Sequence, residues 1–206
     1  MAALLRVGVL ASGAGTNLQA LLDGVHEREA KIVAVASDKL DAYALERARG
    51  AGVPTSVFGR EAFPDRATRD AAIGDWLEAQ GVELVVLAGY MAILDAGFIG
   101  RFRDRIINVH PSLLPAVPGI GAVQQALDYG VKLFGVTVHL VDEGVDTGAI
   151  ILQRAVELPG AVDAEAVLEA LRPLEHDLLP EAVRLYAAGR AHRDPSHPRR
   201  VIVDEP

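Results

Sequence analysis

Cysteine is absent from this chain of 206 residues. Without cysteine there can be no disulfide framework, no thiolate nucleophile and no zinc site of the cysteine type. Long apolar runs are absent as well, because glycine, aspartate or arginine interrupts the candidates before they reach the roughly 18 apolar residues of a membrane helix. We therefore expect a protein that does not interact with membranes and that is located in the cytoplasm.

Positive charge is also scarce. The 20 lysines and arginines are outnumbered by 28 aspartates and glutamates, which gives a formal net charge of −8. This balance argues against a protein that binds nucleic acid by neutralising phosphates. Half of the residues are hydrophobic, which is enough for a buried core. We predict a single domain over residues 1–189, followed by a surface tail over residues 190–206 that is rich in proline, arginine and aspartate.

Short runs of β-branched residues alternate with segments of helical periodicity. This alternation predicts an α/β fold, Rossmann-like, with a mostly parallel sheet of about seven strands and helices on both faces. The last two strands leave no room for a crossover helix between them, so we expect that pair to be antiparallel or splayed apart by a loop. The predicted strands are Arg6–Ser12, Ile32–Ser37, Thr55–Phe58, Leu84–Ala88, Ile106–Val109, Val136–Val141 and Ala149–Val156, and the predicted helices include Asn17–Arg28, Tyr43–Gly50, Arg66–Gln80 and about Ala164–Gly189.

A glycine-rich turn, Ser12-Gly13-Ala14-Gly15-Thr16-Asn17, joins the first strand to the first helix. Backbone N–H groups in such a turn and at the helix N-terminus favour an anion, so the turn predicts a phosphate site. A tight turn capped by Thr16 or Asn17 is the structural alternative. A nucleotide-binding oxidoreductase also stays open, since Asp38 ends the second strand where a ribose-binding acid would lie. Against it, Leu18 stands in place of the third glycine of the dinucleotide fingerprint.

Two polar residues, Asn108 and His110, close the fifth predicted strand. Because side chains alternate along a strand, both point to the same side, and the prolines at 111 and 115 fix the exit of the chain. An amide can donate to a developing oxyanion while an imidazole handles a proton. The alternative is a structural histidine whose hydrogen bonds are satisfied within the fold.

Three acidic residues, Asp142, Glu143 and Asp146, crowd the loop Asp142–Gly148 after the sixth strand. One of them could pair with His110, orienting the ring and favouring its imidazolium form. The alternative is a polar turn with a local cap. The acidic spacing does not match the calcium-loop pattern, and we expect no metal.

Two further places are ambiguous. The segment Gly89–Leu94 after the fourth strand is small and apolar, and it could accept a flat ring or belong to the core. His139 on the sixth strand is most simply a partly buried polar residue, and the alternative is that it contacts the site.

Taken together, the segment Asn108-Val-His110-Pro-Ser-Leu-Leu-Pro115 and Asp146, 36 residues beyond the histidine, resemble the glycinamide ribonucleotide formyltransferase family. The resemblance extends from Val7 to about Gly189 and implies the formyltransferase fold. It also implies 10-formyltetrahydrofolate as co-substrate, glycinamide ribonucleotide as formyl acceptor, and a monomer or homodimer without nucleic acid or membrane partners.

The resemblance assigns roles to positions of this chain. Asn108, His110 and Asp146 correspond to the catalytic set, in which Asn108 and His110 stabilise a tetrahedral intermediate while Asp146 favours the charged form of His110 and orders a proton-relay water. The residues expected at the ribonucleotide are Gly15, Thr16, Asn17 and Glu175. The residues expected at the folate are Arg66, Met91, Ala92, Ile93, Leu94, Asn108, Asp142 and Asp146.

Two positions depart from the family pattern. Ala92 stands where family members often carry arginine, and Gly121 replaces a commonly seen histidine. Formyl-methionyl-tRNA synthesis and formylfolate hydrolysis use a similar core, but those enzymes carry additional domains for which we expect no room here. A binding module that lacks catalysis is a further alternative, and it predicts ligand binding without turnover.

Overall fold

The computed structural model describes residues 3–205 and has the predicted α/β architecture. Residues 1, 2 and 206, which the predicted domain and tail include, lie outside the described part. The strands are β1 (Leu5–Leu10), β2 (Ala30–Ser37), β3 (Thr55–Val57), β4 (Leu84–Leu87), β5 (Ile106–His110), β6 (Leu133–Leu140), β7 (Ile150–Glu157), β8 (Ala191–Arg193) and β9 (Val201–Val203). The helices are α1 (Thr16–Gly24), α2 (Tyr43–Gly50), α3 (Arg66–Ala79), α4 (Ala96–Arg101), α5 (Ala122–Tyr129) and α6 (Ala164–Ala187).

Seven strands form the main sheet in the order β3-β2-β1-β4-β5-β6-β7. Strands β1 to β5 are parallel, and β6 pairs antiparallel with both β5 and β7. The antiparallel β6–β7 pair confirms the prediction, whereas the reversal between β5 and β6 was not predicted. The winding of the sheet changes direction between β1 and β4, and ligands of open α/β sheets bind beside such a switch point.

Helices cover both faces of the sheet. One core packs helices α1, α2, α5 and α6 against the sheet, with Leu21 and Leu178 among its fully buried members. The other core packs α3 and α4 against the opposite face, with Leu77 and Phe102 at its centre. Strands covered on both faces account for the continuous apolar run of β4. The rigid sheet therefore positions the loops at its edge.

The segment after α6 contains secondary structure that the sequence did not predict. Strands β8 and β9 pair as an antiparallel hairpin, and Arg193 of β8 donates to Asp104 at 2.6 Å. Two short helices, α4 and α5, were also absent from the predicted elements. The boundary at residue 189 stays a prediction.

Among residues 3–205, no helix combines the length and the apolar character that crossing a membrane requires.

Candidate active site

Asn108 and His110 of strand β5 both lie close to the carboxylate of Asp146. Asn108 Nδ2 lies 3.4 Å from Asp146 Oδ1, and His110 Nδ1 lies 3.3 Å from Asp146 Oδ2. Both side chains therefore point to the same side of β5, as the alternation of side chains predicts. The structure brings all three predicted catalytic residues together.

Asp146 reaches this position by an indirect route. Because β6 is antiparallel to β5, with His139 opposite Asn108, the loop after β6 begins at the amino end of β5. The loop then runs back toward His110. Within it, Asp146 has a φ of 53°, a left-handed conformation that is uncommon for a residue other than glycine. The amide of Gly119 donates to Asp146 Oδ2 at 2.8 Å and holds the carboxylate in place.

The surroundings of Asp146 favour its charged form. A hydrogen bond from His139 lowers the pKa of Asp146, the amide of Gly119 and the positive charge of His110 add to this effect, and burial opposes it. The resulting pKa of Asp146 is about 2, against an ordinary value of 3.8. Asp146 is therefore an anion at neutral pH.

His139 is part of this cluster, although the sequence favoured a structural role for it. Only 2% of its surface is exposed, and its Nε2 lies 3.2 Å from Asn108 Nδ2 and 3.5 Å from Asp146 Oδ1. Its Nδ1 lies 2.7 Å from the Leu140 carbonyl oxygen, so Nδ1 carries a proton. A neutral ring accepts from Asn108 at Nε2, whereas an imidazolium donates to Asp146. The pairing of residues 108 and 139 across β5 and β6 is what places His139 here.

The second ring nitrogen of His110 is also engaged. Its Nε2 lies 3.0 Å from the carbonyl oxygen of Val117, a residue with a φ of 51°. The hydroxyl of Ser112 donates to the Ala116 carbonyl at 2.7 Å and lies 3.1 Å from the Val117 carbonyl oxygen. Because one nitrogen faces a carbonyl and the other faces the Asp146 carboxylate, the imidazolium of His110 can donate on both sides.

The glycine turn has the geometry that the sequence predicts. Gly15 has a φ of 71°, and a Cβ at this position would lie 2.7 Å from Ala44 Cα, so glycine is required on two counts. The first helical hydrogen bond of α1 runs from the Gln19 amide to the Gly15 carbonyl at 2.9 Å. The amides of Thr16 and Asn17 precede that bond and therefore have no carbonyl partner within the helix.

Two of the residues expected at the ribonucleotide contact each other. Asn17 Nδ2 donates to Glu175 Oε2 at 3.0 Å, which ties α1 to α6. Burial raises the pKa of Glu175, although the hydrogen bond from Asn17 and the charge of Arg172 act in the opposite direction. Within the described residues, the buried Oδ1 of Asn17 has no hydrogen-bond partner.

The segment Gly89–Asp95 after β4, which we call the lip, borders the glycine turn. The Ser12 amide donates to the Gly89 carbonyl at 3.1 Å, and the Ser12 hydroxyl accepts from the Met91 amide at 2.9 Å. Met91 and Ile93 are 59% and 62% exposed, whereas Leu94 is buried in the core. Ala92 between them is partly exposed. The lip therefore presents two apolar side chains at the outer surface.

Two of the residues expected at the folate have no contact with the cluster around Asp146. Asp142 accepts from the Gly144 amide at 3.1 Å and from the Thr147 hydroxyl at 2.6 Å, so it caps its own turn. It also lines a cavity of about 420 Å³ that extends to Arg193. Arg66 is exposed at the first residue of α3, and no hydrogen bond or ion pair of its side chain is found among residues 3–205. Between residues 3 and 205, no group of three or more acidic or histidine side chains could hold a metal ion.

Comparisons with known proteins agree with this geometry. The sequence model of the formyl transferase family matches residues 5–183. Phosphoribosylglycinamide formyltransferase of Haemophilus influenzae is 43% identical over 187 residues, which cover 90% of this chain and 88% of that protein. The trifunctional purine biosynthetic protein adenosine-3 of Drosophila pseudoobscura is 44% identical over 192 residues, which cover 91% of this chain but only 14% of that protein.

The fold agrees with a solved structure of the same kind. The crystal structure of glycinamide ribonucleotide transformylase 1 from Symbiobacterium toebii superposes with a TM-score of 0.93 at 47% identity, and the match covers 98% of this chain and 95% of that one. These similarities confirm the resemblance found in the sequence. The chain therefore belongs to the formyl transferase family, and within it to the phosphoribosylglycinamide formyltransferases.

Proposed function

We propose that this chain transfers the formyl group of 10-formyltetrahydrofolate to the terminal amine of glycinamide ribonucleotide, using Asn108, His110 and Asp146 as its catalytic residues. The observation that carries the proposal is the convergence of these three side chains at the carboxyl end of β5, next to strand β4 that borders the switch point of the sheet. Family membership also favours formyl transfer over the oxidoreductase that the glycine turn left open.

The ribonucleotide would bind along the side of the cleft formed by α1 and α6. Its phosphate would accept hydrogen bonds from the amides of the turn at Gly15, Thr16 and Asn17, where the positive end of the α1 dipole also points. Glu175 lies next to Asn17 and would bind the glycinamide end. The raised pKa of Glu175 fits this role, because a donor from the substrate would replace the water that burial removes.

The folate would lie between the lip and the loop Asp142–Gly148. The exposed side chains of Met91 and Ile93 offer an apolar surface to a flat ring, and Leu94 fixes the backbone behind them. The residues present therefore fit an aromatic co-substrate on this side. Asp142 and Arg66 are proposed contacts at the edges of the same site, and the methyl group of Ala92 limits its contribution to packing.

The reaction begins with attack of the substrate amine on the formyl carbon. A C–N bond forms, the carbonyl oxygen becomes an oxyanion, and collapse of the tetrahedral intermediate breaks the bond to N10 of the folate. Asn108 Nδ2 would donate to the oxyanion in place of its long contact of 3.4 Å with Asp146. His110 Nε2 would donate to it in place of the Val117 carbonyl. Binding therefore requires the segment at Val117 to move away from His110.

Asp146 and His139 would support these two donors. The carboxylate of Asp146 stays ionised and stabilises a positive charge on the ring of His110. A water ordered by Asp146 would carry the proton lost by the attacking amine to N10 of the folate. His139 would hold the amide of Asn108 in the orientation that directs Nδ2 toward the substrate.

The test is the absorbance change when a 10-formylfolate loses its formyl group, followed with and without glycinamide ribonucleotide. We expect a signal that depends on the ribonucleotide and that falls roughly 100-fold or more in His110→Ala. His197→Ala removes an exposed histidine of the C-terminal hairpin and serves as the matched control, with activity unchanged.

Other outcomes would contradict the proposal. A signal of equal rate without the ribonucleotide would identify a hydrolase. No signal from the wild-type chain with or without the ribonucleotide, together with measurable folate binding, would identify a binding module. Localisation in the cytoplasm and the monomeric or homodimeric state stay predictions.

A further inference from the structure

The lip has no regular secondary structure, yet its backbone is fixed by side chains behind it. Ser12 holds the Met91 amide at one end. The other contacts come from helix α3, where Arg69 is 5% exposed and Asp70 is fully buried. Sequence reasoning singled out Arg66 on this helix and overlooked both residues. The signal in the sequence was an Arg-Asp pair on the first turns of a helix that otherwise packs apolar side chains.

Arg69 and Asp70 form a bonded pair that contacts the lip twice. Arg69 Nε donates to Asp70 Oδ1 at 2.8 Å, and Arg69 Nη2 lies 2.7 Å from the same oxygen. Arg69 Nη2 also donates to the carbonyl of Ile93 at 3.2 Å. The second oxygen of Asp70 accepts from the amide of Asp95 at 2.6 Å. Each member of the pair therefore holds one backbone group of the lip, two residues apart.

Overall stability alone does not account for such a pair. Taking two charges out of water is unfavourable, and well-packed apolar side chains of similar volume often stabilise a fold as well or better. An apolar pair, however, could not bond to the Ile93 carbonyl and the Asp95 amide. Those bonds fix the backbone of the lip at Ile93 and Asp95, next to the exposed side chains of Met91 and Ile93.

We propose that Arg69 and Asp70 are positioning residues for folate binding, which fix the lip so that Met91 and Ile93 form the surface against which the folate ring packs. The inference rests on the proposed function, because it concerns the co-substrate side of that site. Neither residue touches the reacting atoms, so their effect should fall on folate affinity rather than on the chemical step.

The test is the double variant Arg69→Met/Asp70→Asn, which removes both charges and leaves no buried ion unpaired. We expect the KM for 10-formyltetrahydrofolate to rise at least about fivefold, while kcat and the KM for glycinamide ribonucleotide stay within about twofold of the wild type. Hydrogen exchange at the Asp95 amide should become faster in the variant, because its acceptor is weaker.

Arg101 provides the matched control. Its guanidinium on α4 forms ion pairs with two carboxylates of α3, Asp75 at 2.8 Å and Glu78 at 2.5 Å, and it does not contact the lip. Arg101→Met should lower the melting temperature and leave both KM values within about twofold of the wild type. A general loosening of the two helices would therefore be seen in the control as well.

Several results would overturn the inference. A folded double variant with an unchanged KM for the folate would show that the pair is only structural, as would an equal rise of both KM values. If the double variant does not fold, Arg69→Lys replaces it. Lysine keeps the charge beside Asp70 but lacks the planar fork that reaches Asp70 and Ile93 together, so the KM for the folate should still rise selectively.

Failure of the proposed function can be distinguished from failure of this inference. If the wild-type chain does not transfer a formyl group, binding of tetrahydrofolate measured by calorimetry replaces KM as the readout. The double variant should then bind at least about fivefold more weakly and Arg101→Met should bind as the wild type does. Equal binding by all three proteins would overturn the inference.

Discussion

Two carboxylates of the candidate site, Asp146 and Glu175, have opposite electrostatic surroundings. Asp146 faces two histidines and a backbone amide, and its pKa falls to about 2. Glu175 is more deeply enclosed and receives one hydrogen bond, from Asn17, so burial raises its pKa. Asp146 is therefore surrounded by several hydrogen-bond donors, whereas Glu175 has one.

This difference separates two tasks. A carboxylate surrounded by donors stays ionised at every physiological pH and can stabilise a positive charge on His110 throughout the reaction. A carboxylate with few donors is destabilised when it ionises, and a donor supplied by a bound substrate relieves that penalty. We expect changes at Asp146 to affect kcat and changes at Glu175 to affect the binding of the ribonucleotide.

The largest effect is expected for Asp146→Asn. The amide removes the negative charge that we propose to assist His110 in the reaction, so kcat for formyl transfer should fall roughly 100- to 1,000-fold. The KM for the ribonucleotide should change much less, because Glu175 and the glycine turn are untouched. Steady-state kinetics with a circular dichroism check of folding measure this, and a full loss of ribonucleotide binding would contradict the division of tasks.

The pH dependence of stability tests the electrostatics of Asp146 directly. A pKa that is lower in the folded than in the unfolded chain contributes stability above the unfolded value, near 4, and this stability is lost as the pH falls toward 2. The advantage of the wild type over Asp146→Asn in free energy of unfolding should narrow by about 1 kcal/mol between pH 6 and pH 3. Urea unfolding at each pH gives this difference, and a constant difference would argue against the lowered pKa.

Glu175→Gln should weaken ribonucleotide binding without lowering the stability of the fold at pH 7. A pKa raised by folding gives stability that is complete below the ordinary value of 4.5 and is lost as the pH rises through the folded value. At pH 7 the glutamine variant should therefore melt no lower than the wild type, while its KM for glycinamide ribonucleotide rises by about tenfold.

Glu181 on the same helix is the control for that measurement. It pairs with Arg154 at the surface, so Glu181→Gln should leave the KM for the ribonucleotide unchanged. A higher KM in both variants would mean that helix α6, rather than the carboxylate of Glu175, determines ribonucleotide binding.

The smallest effect is expected at a third acidic residue, Asp142, which caps a surface turn. Asp142→Ala loses the bonds from Gly144 and Thr147, and the free energy of unfolding should fall by less than about 1 kcal/mol. We expect kcat within about twofold of the wild type and a two- to fivefold rise in the KM for the folate. A fall in kcat comparable to that of Asp146→Asn would show that the conformation of the loop, and not the Asp146 carboxylate, determines kcat.

Local sequence patterns predicted a large part of this arrangement. The alternation of side chains along a strand is fixed by backbone geometry, so Asn108 and His110 had to share a side wherever the strand lay. Glycine at position 15 indicated a tight turn because few other residues adopt a positive φ there. The alternation of strands and helices predicted the sheet, because hydrophobic periodicity is also a property of neighbouring residues.

The tertiary structure alone decided which distant groups meet. The reversal of β6 against β5 placed His139 opposite Asn108, and the return of the following loop brought Asp146 to His110. The same is true of Arg69 and Asp70, whose partners on the lip lie more than 20 residues along the chain. Strand direction, register and helix docking depend on the packing of the whole core, and no local pattern encodes them.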